Sequence, residues 1–174
     1  RLSKSSGVLP LRVASGQFLN VNMGCDQKPF NDARVRQALA LCVDRQASVD
    51  FVADGLGSPG NDTPINAAYP WYADLARKAV DYSKAKALLA EAGYPDGLDL
   101  TLVASDKPAT RTQLGIALRE MARPGGFRIK VQTMAHSTYL DQVWKKGNFY
   151  VGFYNMQPTP DAVFSLLYTS TAAW

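Results

Sequence analysis

The stretch PFNDARVRQALALCVDR, residues 29–45, carries a helix start, one apolar stripe and the start of a second helix. Asn31 and Asp32 bring short side-chain oxygens that can accept the first free backbone N–H groups, so a helix is predicted to begin there. Val35, Ala38, Leu39, Cys42 and Val43 recur at i, i+3, i+4, i+7 and i+8, one face of a 3.6-residue helix. Arg34, Arg36 and Gln37 lie off that face. Asp44 is placed to cap a second helix running through Val49, Val52 and Ala53. Core burial suffices to explain the stripe, so the helix over 31–45 is expected to be structural.

Upstream, residues 9–13 and 18–22 read as two short strands joined by Ala14-Ser15-Gly16. Downstream, residues 55–72 are too rich in Gly and Pro for a long regular element. Ser83 is expected to cap a helix that turns Ala85, Leu88, Leu89 and Ala92 to one side and stops at Gly93. Leu98, Leu100 and Leu102 then alternate with Asp99, Thr101 and Val103 as a strand. A helix over 110–122 is expected to bury Leu114, Ala117, Leu118 and Met121, and Phe127, Ile129 and Val131 begin another alternation. Strand, helix and strand at this spacing predict a parallel βαβ unit. A helix over 137–146, a strand over 149–154 and a helix opened by Thr159-Pro160-Asp161 complete the order. The fold class expected is α/β, a mixed sheet flanked by helices.

At 174 residues, 47% hydrophobic and 20% charged, the chain can bury a core and is not of disordered composition. Its net charge of +4 is scattered, with no basic stripe interleaved with aromatic residues, so nucleic acid is not the expected partner. No apolar run approaches a membrane span. Cys25 and Cys42 are too few for a metal knuckle. Cys42 reads as a small buried hydrophobe, and a Cys25–Cys42 disulfide stays open in an oxidising compartment.

The order of residues adds a resemblance. Residues 29–45 closely resemble the "PF.D.RVRqAl..a.DR" segment of the extracytoplasmic solute-binding proteins of ABC importers, in the peptide/nickel-binding family, family 5. YSKAKALLAEAGYPDGLDLTL, residues 82–102, is similar to that family's "y....Ak.LLaeAGy.dG..l.l". GLGSPGNDTPI (55–65) and PTPDAVFSLLYTSTAAW (158–174) resemble the subgroup patterns "G.g..GnD.PI" and "RPT.d.mfs.aY.s.A.W". The resemblance implies one lobe, over 1–174, of a bilobal periplasmic-binding-protein type II fold, the other lobe lying outside this chain. It implies capture of a small solute such as an oligopeptide outside the cytoplasmic membrane, in the periplasm or on a lipid anchor. It further implies a monomer when full length, delivery to ABC permease subunits, and no cofactor. The start RLSKSSGVLPLRV lacks an apolar h-region, so the export leader is expected upstream of this segment.

For catalysis the residues offer no constellation. The single histidine, His136, stands next to a helix start, where a surface or hydrogen-bonding role is the ordinary one. No G-x-S-x-G, H-E-x-x-H or P-loop pattern occurs. Neither catalytic nor metal-ligating residues are assigned. A binding site needs less, and the loop leaving the 149–154 strand offers Tyr154, Asn155, Met156 and Gln157, where ligands of open α/β sheets sit. Tyr139, Trp71, Tyr72, Trp144 and Trp174 are further aromatic candidates for the cleft, all ranked below that loop. Tyr139 and Trp144, five residues apart, should not share one helical face.

In peptide binders of the family the matching loop carries an aromatic residue and then an aspartate for the ligand's amino terminus. The resemblance puts the aromatic at Tyr154 (Phe153 under another gap placement) and the aspartate position at Met156 or Gln157, neither of which is charged. Two rival readings are an α/β enzyme domain, and a receptor or chaperone of the same fold without a permease.

Overall fold

Asp32 caps the first helix as its position suggested, its carboxylate accepting from Arg34 N at 2.8 Å. A computed structural model describes Gly7, Leu9, Leu11 and residues 13–172. The elements in order are β1 (Phe18–Met23), α1 (Ala33–Leu41), α2 (Arg45–Ala53), α3 (Tyr82–Glu91), β2 (Leu98–Ser105), α4 (Thr110–Ala122), β3 (Phe127–Met134), α5 (His136–Gln142), β4 (Phe149–Tyr154) and α6 (Pro160–Leu167).

The four strands form one mixed sheet in the order β1-β4-β2-β3. β2 and β3 run parallel, with Leu98 opposite Phe127 and Ser105 opposite Met134, which is the expected βαβ unit. β4 is parallel to β2, and β1 closes the edge antiparallel to β4, Phe18 opposite Tyr154. One side of the sheet carries the main core. There Val35, Ala38, Leu39 and Cys42 of the first stripe meet Leu89, Leu102, Leu118, Phe127, Phe149 and Val151, all buried. Each such aliphatic side chain contributes roughly 1.5–3 kcal/mol of burial.

The off-stripe residues of the opening segment also have work. Arg34 pairs with Asp32 and donates to Glu91 O at 2.8 Å, tying α1 to the end of α3, while Arg36 donates to Phe30 O. Gly125 backs directly onto Cys42 Sγ, where a Cβ would overlap the sulfur.

Several expectations need correction. The cap of α3 is Asp81, accepting from Lys84 N, and Ser83 lies inside the helix; an aspartate one residue ahead of the first helical position was available and wins. α5 ends at Gln142 instead of running to 146, because Trp144 N bonds Tyr139 O and Lys145 turns into the left-handed region at φ 67°. Leu114 and Met121 of α4 are half-buried, and the buried positions are Arg111, Gly115, Ala117, Leu118 and Ala122. Of the strand expected over 9–13, residues 10 and 12 lie outside the described residues, and Leu9, Leu11 and Val13 are exposed and belong to no strand. Trp174 also lies outside the described residues.

Both cysteines are free thiols, Cys25 exposed and Cys42 buried. Burial pushes the Cys42 thiol up to about 11. Iodoacetamide at pH 8 is therefore expected to modify Cys25 and spare Cys42 until the protein is unfolded. Peptide mass mapping checks this; equal labelling of both in the native state would contradict the burial of the α1 stripe.

Candidate functional site

The carboxyl ends of β2, β3 and β4 lead into α4, α5 and α6, so three strand-to-helix connections converge on one edge of the sheet. Ligands of open α/β sheets bind outside such an edge. At this edge lies Arg111, in the first turn of α4 and on its buried face, with only 5% of its surface exposed. Its guanidinium carbon is 5.2 Å from the centre of the Tyr139 ring and 5.7 Å from those of Trp144 and Phe153. The rings come from α5, the turn after it, and β4.

Among the described residues no carboxylate pairs with this cation. Arg111 Nε and Nη1 are buried without a hydrogen-bond partner among the described residues. Burial pulls its pKa below the ordinary arginine value, the Tyr139 and Tyr154 hydroxyls opposing that effect weakly. Arginine stays protonated regardless. The three faces return about 0.5–2 kcal/mol each by cation–π attraction. A buried charge without counter-charge costs several kcal/mol. The other buried unpartnered polar atoms, on Asn20, Asn22 and Asn148, belong to neutral amides and are cheaper to leave unpaired. Arg111 therefore stands out among the described residues as a buried charge without a counter-charge. By contrast, a shallow depression lined by Asp99, Arg119, Glu120 and Arg128 is already self-paired, Arg128 with Asp99 and Arg119 with Glu120, both at 2.7 Å.

Tyr154 ends β4 nearly buried, stacked on Phe18 with ring centres 5.1 Å apart and 5.2 Å from Trp144. Burial raises its phenol's pKa. Tyr139 is fully buried and donates to Val151 O at 2.7 Å, so its ring faces Arg111 and its hydroxyl serves the strand. Because α5 ends early, Trp144 folds back and its ring comes within 6.1 Å of Tyr139, although the spacing argued against a shared face.

Asn155 is exposed and accepts from Gln17 Nε2 at 3.2 Å. Met156 is 44% exposed, and Gln157 is half-buried. The Tyr69 hydroxyl donates to Gln157 O at 2.9 Å and accepts from Gln157 N at 3.2 Å, which pins the loop. Gly16 lies so close beneath that a Cβ there would come within 2.7 Å of both Met156 and the Tyr69 hydroxyl. Trp71 is 59% exposed on the long loop, and among the described residues no ring contact joins it to Tyr139 or Tyr154. The structure thus gathers Tyr139, Tyr154 and Trp144 around one edge and keeps Asn155–Gln157 beside them, while Trp71 is exposed on the loop that follows Tyr69.

Arg111 is the group that sequence reading passed over. Its signal was present: residues 111, 114, 115, 118 and 122 form one stripe of α4, and a charge on a buried stripe is anomalous.

A test of Tyr154 follows from its position. Tyr154→Ala is expected to weaken solute binding by the full-length protein by about 1–3 kcal/mol, and Tyr154→Phe by less. Calorimetry and melting of the ligand-free variant are read together. A lowered melting temperature with intact affinity would make Tyr154 scaffold only.

This architecture is one lobe of the periplasmic-binding-protein type II fold. A nickel–histidine-bound NikA structure from Staphylococcus aureus superposes with a TM-score of 0.83 at 18% identity, over 99% of this chain and 37% of that one. The chain belongs to the bacterial extracellular solute-binding proteins, family 5, whose middle segment it matches over residues 3–174. It is 30% identical over 163 residues to the glutathione-binding protein GsiB of Salmonella choleraesuis, covering 86% of this chain and 30% of that protein. The structure of AgaA from A. tumefaciens R10, in complex with agropinic acid, is similar at 28% identity and a TM-score of 0.76, over 89% of this chain and 32% of that one. The chain thus spans about a third of the length of these relatives.

Proposed function

We propose that this chain is one lobe of a larger, bilobal solute-binding protein of an ABC importer, and that it anchors a carboxylate-bearing, peptide-like solute. The observation that carries the reading is the buried Arg111 guanidinium, which has no anionic partner among the described residues. A ligand carboxylate seated there would turn a standing cost into a charge-assisted, forked hydrogen bond. Relatives named for glutathione and agropinic acid, both carboxylic acids, support that ligand class. Tyr154, Asn155, Met156 and Gln157 would border the solute, with Tyr139 supporting Arg111 from behind and Trp71 at the outer rim. Because Met156 and Gln157 carry no charge, this lobe does not require a free amino terminus on the solute.

The second lobe would close over the ligand by a hinge motion, outside the cytoplasmic membrane, and the closed monomer would dock on the permease subunits. The role is binding and delivery, not turnover.

The test is calorimetry on the full-length protein with reduced glutathione and trialanine, each as free acid and as C-terminal amide. The free acid of at least one is expected to bind, and its amide at least thirtyfold more weakly. Equal affinity of acid and amide, or a chemically altered ligand recovered by mass spectrometry, would overturn the reading.

A further inference from the structure

His136 opens α5, half-buried, with its Nδ1 2.9 Å from the hydroxyl of Ser105 at the end of β2. Ser105 is fully buried, and its surroundings dictate where the protons lie. Its Oγ is 2.9 Å from Lys107 O and 3.2 Å from Lys107 N. A carbonyl oxygen cannot donate, so the one hydroxyl proton must point at Lys107 O, since two bare oxygens at that distance would repel. Lys107 N–H occupies one lone pair of Oγ. His136 can then meet Ser105 only as a donor, which puts the ring proton on Nδ1 and leaves Nε2 of the neutral imidazole as a bare acceptor. Nε2 is not among the buried unpartnered atoms, and no described residue bonds it.

His136 lies at the same edge of the sheet as Arg111, at the start of the helix that follows β3. His136 stands one helical turn before Tyr139, whose ring Arg111 overlies. Thr112, next in the chain to Arg111, donates its hydroxyl to Ser105 O at 3.2 Å. Ser105 thus holds His136 through its hydroxyl and Thr112, the chain neighbour of Arg111, through its carbonyl. Arg111 offers only donors, while His136 at the same edge offers an imidazole nitrogen as acceptor.

We infer that His136 is a specificity-determining contact, whose Nε2 accepts an amide N–H of the solute and so selects peptides or N-acyl amino acids over carboxylates that lack one. The inference rests on Arg111 as the carboxylate anchor.

The test uses the full-length protein, trialanine, and the depsipeptide in which the last alanine is replaced by lactate, so that one N–H becomes an ester oxygen. The wild type is expected to prefer trialanine at least tenfold. His136→Asn keeps an amide donor where Nδ1 stood but removes the outer acceptor, and should bring the ratio close to one. His136→Gln, which restores an acceptor near Nε2, should recover part of it. Nitrogen-15 NMR of the ligand-free protein, with His136 assigned by its loss in His136→Asn, should show the Nδ1–H tautomer.

An Nε2–H tautomer, or the same ratio in wild type and His136→Asn, overturns the inference while leaving Arg111 untouched. Equal binding of trialanine and its C-terminal amide overturns the Arg111 reading, with the depsipeptide ratio still reporting on His136. A protein that binds none of these probes overturns both.

Discussion

Arg111→Leu in the full-length protein should remove about 3–5 kcal/mol of solute affinity, a hundredfold or more, and leave the ligand-free protein as stable as before or more so. The two halves of this expectation have one cause. In the free lobe the guanidinium is buried with Nε and Nη1 unpartnered, so replacing it with an apolar side chain removes a desolvated charge. In the complex the same charge would be the ligand's counter-ion. Arg111→Lys should rescue little, because an ammonium lacks the planar fork and cannot stack on Tyr139, Trp144 and Phe153 together. Calorimetry and thermal melting on one preparation read both halves. A stability loss above about 2 kcal/mol with affinity retained would make Arg111 a structural residue held by its three rings.

Phe30→Ala should cost about 3–5 kcal/mol of folding stability, measured by chemical denaturation, with Phe30→Leu costing under about 1.5 kcal/mol. The ring is fully buried and lies 4.8 Å from that of Phe149. It joins the entry of α1 to the first residue of β4, so its loss opens a cavity between helix layer and sheet. Affinity of the folded fraction should hardly change. Phe149 and Tyr154 are at opposite ends of β4, about 16 Å apart at the rise of an extended strand. Weakened binding at unchanged stability would place Phe30 near the solute and contradict this layout.

What could be read from the residues alone was whatever depends on near neighbours. The stripe Val35, Ala38, Leu39, Cys42 and Val43 needs only helical periodicity; the first four are buried, and Val43, past the end of α1, is half-buried. α4 and β4 begin and end where expected, because their flanking Gly, Pro and Lys residues punctuate the pattern. The cap at Asp81 was misjudged by two positions between competing short polar side chains. α5 was drawn too long because a left-handed Lys145 leaves no mark in composition.

The site was harder to read for a different reason. The rings over Arg111 come from residues 139, 144 and 153, and the clamp on Gln157 comes from Tyr69. Chain spacing says nothing about such convergence. Tyr154 could be singled out because it ends a strand; Arg111 could have been, had its charge been weighed against the stripe it interrupts.

The sheet order has a consequence for how the chain is made. β1 is an edge strand whose hydrogen-bonded neighbour is β4, and the paired residues are more than 120 positions apart. At ribosomal speeds of about 5–20 residues per second, β1 waits roughly 6–25 seconds after leaving the tunnel before its partner emerges in turn. The parallel β2–β3 pair, joined only through α4, can form before β4 exists. Until β4 arrives, Leu19, Val21 and Met23 have no sheet to lie on, and the nascent N-terminal strand is the part of this lobe most in need of a chaperone's cover.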